Sequence, residues 1–120
     1  MIERVWIEGK FPTANEYIAA CRRNAYAGNK LKKDIETLIM WQITKLSPID
    51  KPARYYFEWH EKTMRRDKDN VAFAAKFVFD ALQKAGKLPN DNNKWVQGFE
   101  HDFVYGVDQG VYLTIKELKT

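Results

Sequence analysis

Short runs of alternating or clustered apolar residues mark four predicted β-strands along the chain. The clearest is ARYYFEWHEK, residues 53–62, whose apolar face carries Ala53, Tyr55, Phe57 and Trp59. A first strand is predicted at residues 2–8, with Val5, Trp6 and Ile7 as its buried part. Two final strands are predicted at residues 95–106 and 110–118, joined through turn residues.

Apolar residues recur every three to four positions in the intervening segments, which predicts helices. Thr13 or Asn15 is expected to cap a helix that runs through residue 24. After a break at Gly28 and Asn29, a second helix is predicted over residues 30–46. Its buried stripe is expected to hold Leu31, Ile35, Leu38, Ile39 and Leu46, while Lys32, Lys33 and Glu36 face water. A third helix is predicted over residues 70–86 and ends at Gly86.

The order strand, helix, helix, strand, helix, strand, strand predicts a small α+β domain with helices packed on one mixed sheet. Residues 1–120 are expected to form this single domain, since 45% hydrophobic residues can supply a core. No stretch has the roughly 20 apolar residues of a membrane span, and the charged residues near the N-terminus lead us to expect no signal peptide there. Cys21 is the only cysteine, so an internal disulfide is excluded and a cytoplasmic protein is expected.

The net charge of +4 is concentrated in the first half of the chain, which favours a polyanionic partner. One basic run contains Arg22, Arg23, Lys30, Lys32 and Lys33, with Tyr26 inside it. This run is either a solvated helix face or a track for the DNA backbone.

Acidic and basic residues are interleaved in RRDKDN, residues 65–70, between a predicted strand and a predicted helix. Asp69 or Asn70 is a candidate helix cap, which explains one acid but not the pair Asp67 and Asp69. If the chain returns Asp91 to this place, three carboxylates form an all-oxygen site suited to Mg²⁺ or Mn²⁺. Arg65, Arg66 and Lys68 would then hold neighbouring phosphates.

Lys76 lies in an apolar helix, two turns from Asp69 and one turn from Asp80. It either pairs with Asp80 on the surface or reaches toward the metal site and the scissile phosphate. Other chemistry is disfavoured: His60 and His101 lack a helical ligand spacing, Ser47 is the only serine, and no glycine-rich phosphate loop is present.

These motifs and their order resemble the RusA family of Holliday junction resolvases, and most closely its branch in phages and prophages of Gram-positive bacteria. The similarity is carried by GKFPTANEYI, RRDKDN, FDALQKAG, the ND of PNDNN, GFEHDFVYG and GVYLTI. It therefore runs over nearly the whole chain.

The resemblance implies a homodimeric, Mg²⁺-dependent endonuclease of bacterial or phage-infected cells that cuts four-way DNA junctions by paired nicks in recombination and repair. The metal-binding acids of the family match Asp67, Asp69 and Asp91. Its essential lysine matches Lys76 when the chains are aligned on Asp80, whereas alignment on Asp69 puts Phe73 there. Asn15 and Asn70 match family positions near the site.

Two other functions stay open on these residues alone. The first is a non-catalytic accessory protein that binds branched DNA. The second is a metal-dependent nuclease for another branched or single-stranded DNA.

Overall fold

A computed structural model describes residues 2–118 and shows an α+β fold with a mixed sheet, as predicted. The described residues form four strands and four helices. In chain order they are β1 (Ile2–Glu8), α1 (Ala14–Arg23), α2 (Ala25–Gln42), β2 (Ala53–Glu61), α3 (Lys68–Ala72), α4 (Ala75–Lys84), β3 (Val96–Tyr105) and β4 (Gly110–Glu117).

The sheet has the strand order β1-β4-β2-β3. β4 lies between β1 and β2 and is antiparallel to both. β3 is parallel to β2, with Glu61 beside Tyr105, and it forms one edge of the sheet. The helices α3 and α4 supply the crossover that a parallel pair requires.

The core lies between one face of the sheet and the helices. The apolar residues of β2 alternate as predicted, and Tyr55, Phe57 and Trp59 are almost fully buried. Phe79 of α4 packs on this face, with ring centroids 5.1 Å from Tyr55 and 5.7 Å from Phe57. Burial of large aromatic residues on one face fixes the register of the strand, because a slip by one residue would expose them all.

Thr13 caps α1, and its side chain and that of Glu16 form a reciprocal capping box. Asn15 is exposed in the first turn and does not cap the helix. Asn24 ends α1 and caps α2 through its side chain. The break between the two helices therefore falls at Asn24, and the prediction that placed it at Gly28 and Asn29 is wrong. Gly28 lies inside α2 because α1 passes close by: a Cβ there would lie 2.7 Å from the sulfur of Cys21.

The second helix also ends earlier than predicted, at Gln42, although Leu46 is still buried in the turn beyond it. Two of the predicted faces are wrong. Leu38 is 41% exposed, whereas Glu36 is only 1% exposed. Glu36 is buried because α4 packs on that side of α2 and brings Lys84 to its carboxylate.

The single helix predicted over residues 70–86 is divided into α3 and α4. Tighter three-residue hydrogen bonds join them, from the Ala74 amide to Val71 and from the Lys76 amide to Phe73. Gly86 ends α4 as predicted, with a φ of 73° that favours glycine.

Candidate active site

Asp67 and Asp69 lie at the turn where the chain leaves β2 and enters α3. Asp67 is the residue that precedes the helix, so the predicted caps Asp69 and Asn70 are wrong. The Asp67 carboxylate makes no capping hydrogen bond, and Asp69 lies in the first helical turn. Both side chains are exposed, and neither carboxylate has a hydrogen bond or ion pair with any residue from 2 to 118. The two acids are therefore free to bind a cation.

Two hollows adjoin these acids. Asp67 and Asp69 share one of about 310 Å³ with Lys68 and Tyr105. On its other side, Asp67 lines a hollow of about 170 Å³ whose walls include Thr13, Asn15, Arg65 and Asn70. The structure therefore brings Asn15 and Asn70 beside Asp67, as the resemblance implied.

Arg66 was predicted to bind phosphate, but its side chain is occupied by partners within the protein. Its side chain is 17% exposed, and its guanidinium lies 3.2 Å from Glu61 and 3.8 Å from Glu16. It also donates to the carbonyl of Phe11. The arginine therefore joins β2, α1 and the loop before α1, and it fixes the residue that precedes Asp67.

The carboxylates around Arg66 are themselves held in place. Glu61 is 5% exposed and accepts a hydrogen bond of 3.1 Å from the amide of Gln109. Burial would raise the pKa of Glu16, but hydrogen bonds from Thr13 and the charges of Arg66 and Lys10 outweigh it and lower the pKa. Glu16 therefore stays ionised beside Arg66.

Arg65 and Lys68, by contrast, are exposed and form no ion pair within residues 2–118. The ammonium of Lys68 lies 6.0 Å from the centre of the Phe103 ring. These two cations flank the acids and remain suited to phosphate.

Asp91 lies at the opposite end of the sheet. The loop that carries it is tied to the start of β2 by bonds from the Ile49 amide to Lys87 and from the Ala53 amide to Trp95. β2 has nine residues, so its two ends are about 26 Å apart. The expectation that the chain returns Asp91 to the start of α3 is wrong for one chain, because β3 is parallel to β2 and begins at the far end.

Lys76 also lies apart from the two acids. Its ammonium is 3.4 Å from Asp80, which lies 3.6 Å from Lys32 of α2. Lys76 lines neither of the hollows beside Asp67 and Asp69. The geometry favours the interpretation of Lys76 as an ion-pair partner.

The basic run of α1 and α2 is partly neutralised within the fold. Lys30 lies 2.7 Å from Asp34, and Lys32 pairs with Asp80. Arg22, Arg23 and Lys33 are exposed and form no ion pair within the described part of the chain. None of the five residues lines the hollows that contain Asp67.

Two lysines near the acids were not singled out from the sequence. Lys10 follows β1 and Lys62 follows β2, and both line a hollow with Arg65 and Arg66. β1 and β2 end at the same end of the sheet, because Gly110 is paired with both Glu8 and His60. Their positions at strand ends were visible in the sequence, whereas the strand order that brings them together was not.

The donor set fits a small divalent cation. Mg²⁺ is commonly bound through one or two carboxylates, with water and substrate phosphate completing its coordination. Asp67 and Asp69 supply two carboxylates at one turn. Within residues 2–118 of one chain, no group of three His, Cys, Asp or Glu side chains is placed to hold a metal ion.

Comparison with known proteins identifies the family of the chain. None of the curated proteins compared with the chain is significantly similar to it. Over residues 2–118, no helix has both the length and the apolar character needed to cross a lipid bilayer. The family model described as "Endodeoxyribonuclease RusA" matches residues 2–116, which include the acidic turn, the first three strands and all but the last residue of β4. The chain therefore belongs to the RusA endodeoxyribonuclease family, which indicates a nuclease that acts on Holliday junctions.

Proposed function

We propose that the protein is a Mg²⁺-dependent endodeoxyribonuclease that resolves Holliday junctions by paired nicks. The observation that carries the proposal is the pair Asp67 and Asp69, two carboxylates that have no protein partner within residues 2–118, at one turn of a RusA-family chain. Carboxylates left exposed beside the cations Arg65 and Lys68 are suited to a metal and the phosphate that it contacts.

In this proposal Asp67 and Asp69 bind the cation, for which Mn²⁺ is a possible substitute. A divalent cation bound there would polarise the phosphodiester and stabilise its leaving oxygen. Arg65 and Lys68 hold neighbouring phosphates, and the amides of Asn15 and Asn70 donate to the same strand. Arg66 keeps the turn in place and does not contact the DNA.

A second copy of the chain is the natural source of the third carboxylate. The outer edge of β3 is unpaired within the described residues, and Phe99 on this strand is 51% exposed. Such an edge invites pairing with another strand. If two β3 strands pair antiparallel about a twofold axis, the start of one lies beside the end of the other.

That pairing would bring Asp91 of one chain to the acids of the other. Tyr105 ends β3 and lines the hollow that holds Asp67 and Asp69. The loop of residue 91 precedes β3, so in the proposed homodimer it comes beside that hollow in the partner chain. A dimer with two such sites has the twofold symmetry of a junction cut by paired nicks.

A nicking assay tests the activity. We expect the wild type to nick a mobile four-way DNA junction in Mg²⁺, and Asp69→Asn to bind it without cutting. Nicking by Asp69→Asn at the wild-type rate would sink the metal assignment. Binding by the wild type without cleavage in Mg²⁺ or Mn²⁺ would instead identify a non-catalytic junction-binding protein.

A mixing experiment tests the shared site. Asp69→Asn and Asp91→Asn chains are expected to be inactive separately. Co-refolded together, they form mixed dimers in which one site has both substitutions and the other has neither. We therefore expect roughly a quarter of wild-type sites to return, with single nicks in place of paired ones. No recovery, despite mixed dimers seen by native mass spectrometry, would place Asp91 outside the partner's site.

A further inference from the structure

A basic hollow lies next to the acidic turn, at the end of the sheet where β1 and β2 finish. Its volume is about 250 Å³, and its walls include Lys10, Lys62, Thr63, Arg65 and Gln109. The remaining wall is the ion pair of Arg66 with Glu61. We call this feature the basic hollow.

The charge in the basic hollow is strongly unbalanced. Glu61 is the only acid among the described residues that line it, and Arg66 neutralises that carboxylate at 3.2 Å. Lys10, Lys62 and Arg65 form no ion pair within residues 2–118. Glu8 and Asp108 line the neighbouring hollow with both lysines, yet neither acid is within ion-pair distance of them.

The basic hollow adjoins the candidate active site without including it. Arg65 and Arg66 also line the hollow that contains Asp67, Asn15 and Asn70. An anion in the basic hollow would therefore be a near neighbour of the proposed metal-binding acids. The side chains of Arg65 and Arg66 would stand between the anion and those acids.

We infer that the basic hollow binds one phosphodiester of the DNA strand, adjacent to the phosphodiester that is cut. This inference rests on the proposed function and adds Lys10 and Lys62 to the residues that contact substrate. Lysine ammonium groups act as point charges for phosphate, and the arginine fork can bind two of its oxygens. The Thr63 hydroxyl and the Gln109 amide add uncharged donors.

Salt-dependent binding measures the contact. We expect Lys10→Gln and Lys62→Gln each to weaken junction binding roughly fivefold near 0.15 M salt. The slope of log K against log salt should become shallower in each variant, by at most about 1 because the cations share one phosphate. Lys45→Gln removes the same charge from an exposed residue that lines none of these hollows, and it is the matched control. Slopes that shift no more in the lysine variants than in Lys45→Gln would overturn the inference.

Neutral methylphosphonates on the strand then identify the phosphate. One linkage, next to the nicked one, should weaken wild-type binding when neutralised and should weaken binding of Lys62→Gln by a smaller factor, because only the contacts of Lys10 and Arg65 are left to lose. If the losses of affinity from Lys62→Gln and from the neutral linkage multiply at every flanking linkage, the inference that the basic hollow binds a phosphodiester is wrong. Wild-type nicking of the same junctions is measured alongside binding. If the wild type cuts junctions and the losses of affinity still multiply, only the inference about the basic hollow is wrong. If the wild type never cuts junctions, the proposed function is wrong.

Discussion

Two groups of acidic residues between residues 36 and 80 have opposite environments in this fold. In the ion cluster between α2 and α4, Glu36 and Asp80 each meet lysines from both helices. In the acidic turn before α3, Asp67 and Asp69 meet none within residues 2–118. Both groups carry Lys residues nearby in sequence, so the sequence pattern does not separate them.

The difference separates acids that hold the fold together from acids that are left for a ligand. Glu36 is almost completely buried, and an unpaired charge at that depth would be costly. The acids of the turn keep their hydration and cost the fold little. Substitutions should therefore affect stability in one group and activity in the other.

The largest effect is expected in the acidic turn. Asp67→Asn removes one charge from the proposed metal site and should lower the single-turnover nicking rate at least about 100-fold. The Asp67 side chain is exposed and makes no capping hydrogen bond, so the free energy of unfolding should change by less than about 0.5 kcal/mol. Nicking and urea denaturation of the same preparation check both results. A large loss of stability would show that Asp67 is a structural residue.

The reverse pattern is expected for Glu36→Ala. The substitution leaves Lys84 and Lys32 without their buried partner, and it should lower the free energy of unfolding by about 2 kcal/mol. The estimate is moderate because Lys84 is 54% exposed and can regain water. Urea denaturation measures it, with exposed Asp34→Ala as the control. Nicking per folded molecule should equal the wild-type rate, and a selective loss of nicking would contradict the comparison.

His101 differs from both groups of acids, because its hydrogen bond with Trp59 requires the neutral form of its side chain. Its Nδ1 accepts a hydrogen bond of 2.9 Å from Trp59, and burial lowers its pKa below the usual 6.5. The contribution of His101 to stability is therefore complete above pH 6.5 and is lost as pH falls through its lowered pKa. The free energy of unfolding should therefore fall as the pH is lowered from 6.5, because the unfolded chain takes up the proton more readily than the folded one. Denaturation between about pH 7.5 and pH 5 measures it, and His101→Gln should remove this part of the pH dependence.

The smallest effect is expected at Lys76. Its pair with Asp80 is half exposed, so Lys76→Met should change the free energy of unfolding by less than about 0.5 kcal/mol. Because the ammonium lies in the ion cluster and not beside Asp67, the nicking rate should fall less than about threefold. Single-turnover kinetics at saturating protein measure this. A fall of 100-fold or more would show that Lys76 reaches the substrate after all.

The elements of the fold were largely predictable because each strand carries its own local pattern. β2 shows this best, since every second residue from Ala53 to Trp59 is buried as its alternation indicates. The faces of α2 were less predictable. Glu36 is buried by a lysine from a helix 48 residues away, and no local pattern encodes that contact.

The site was predictable only where its residues are neighbours in sequence. Asp67, Asp69 and Arg65 follow one another at a single turn, and Asn70 is at the same turn. The position of Asp91 depends on the direction of β3, which the pattern of β3 does not specify. Arg66 and Arg65 are adjacent and chemically alike, yet only burial beside Glu61 distinguishes a structural arginine from a free one.

The order of strands has a consequence for how the chain folds. β4 is the last described strand, yet it is paired with both β1 and β2, and Ile2 is matched with Lys116. During synthesis β1 has no partner until nearly all the other elements have been made, so the sheet must assemble late and through contacts of large sequence separation. Loss of residues from Gly110 onward would remove the strand between β1 and β2. Folding is therefore expected to be slow for a chain of this size and to proceed as one cooperative unit.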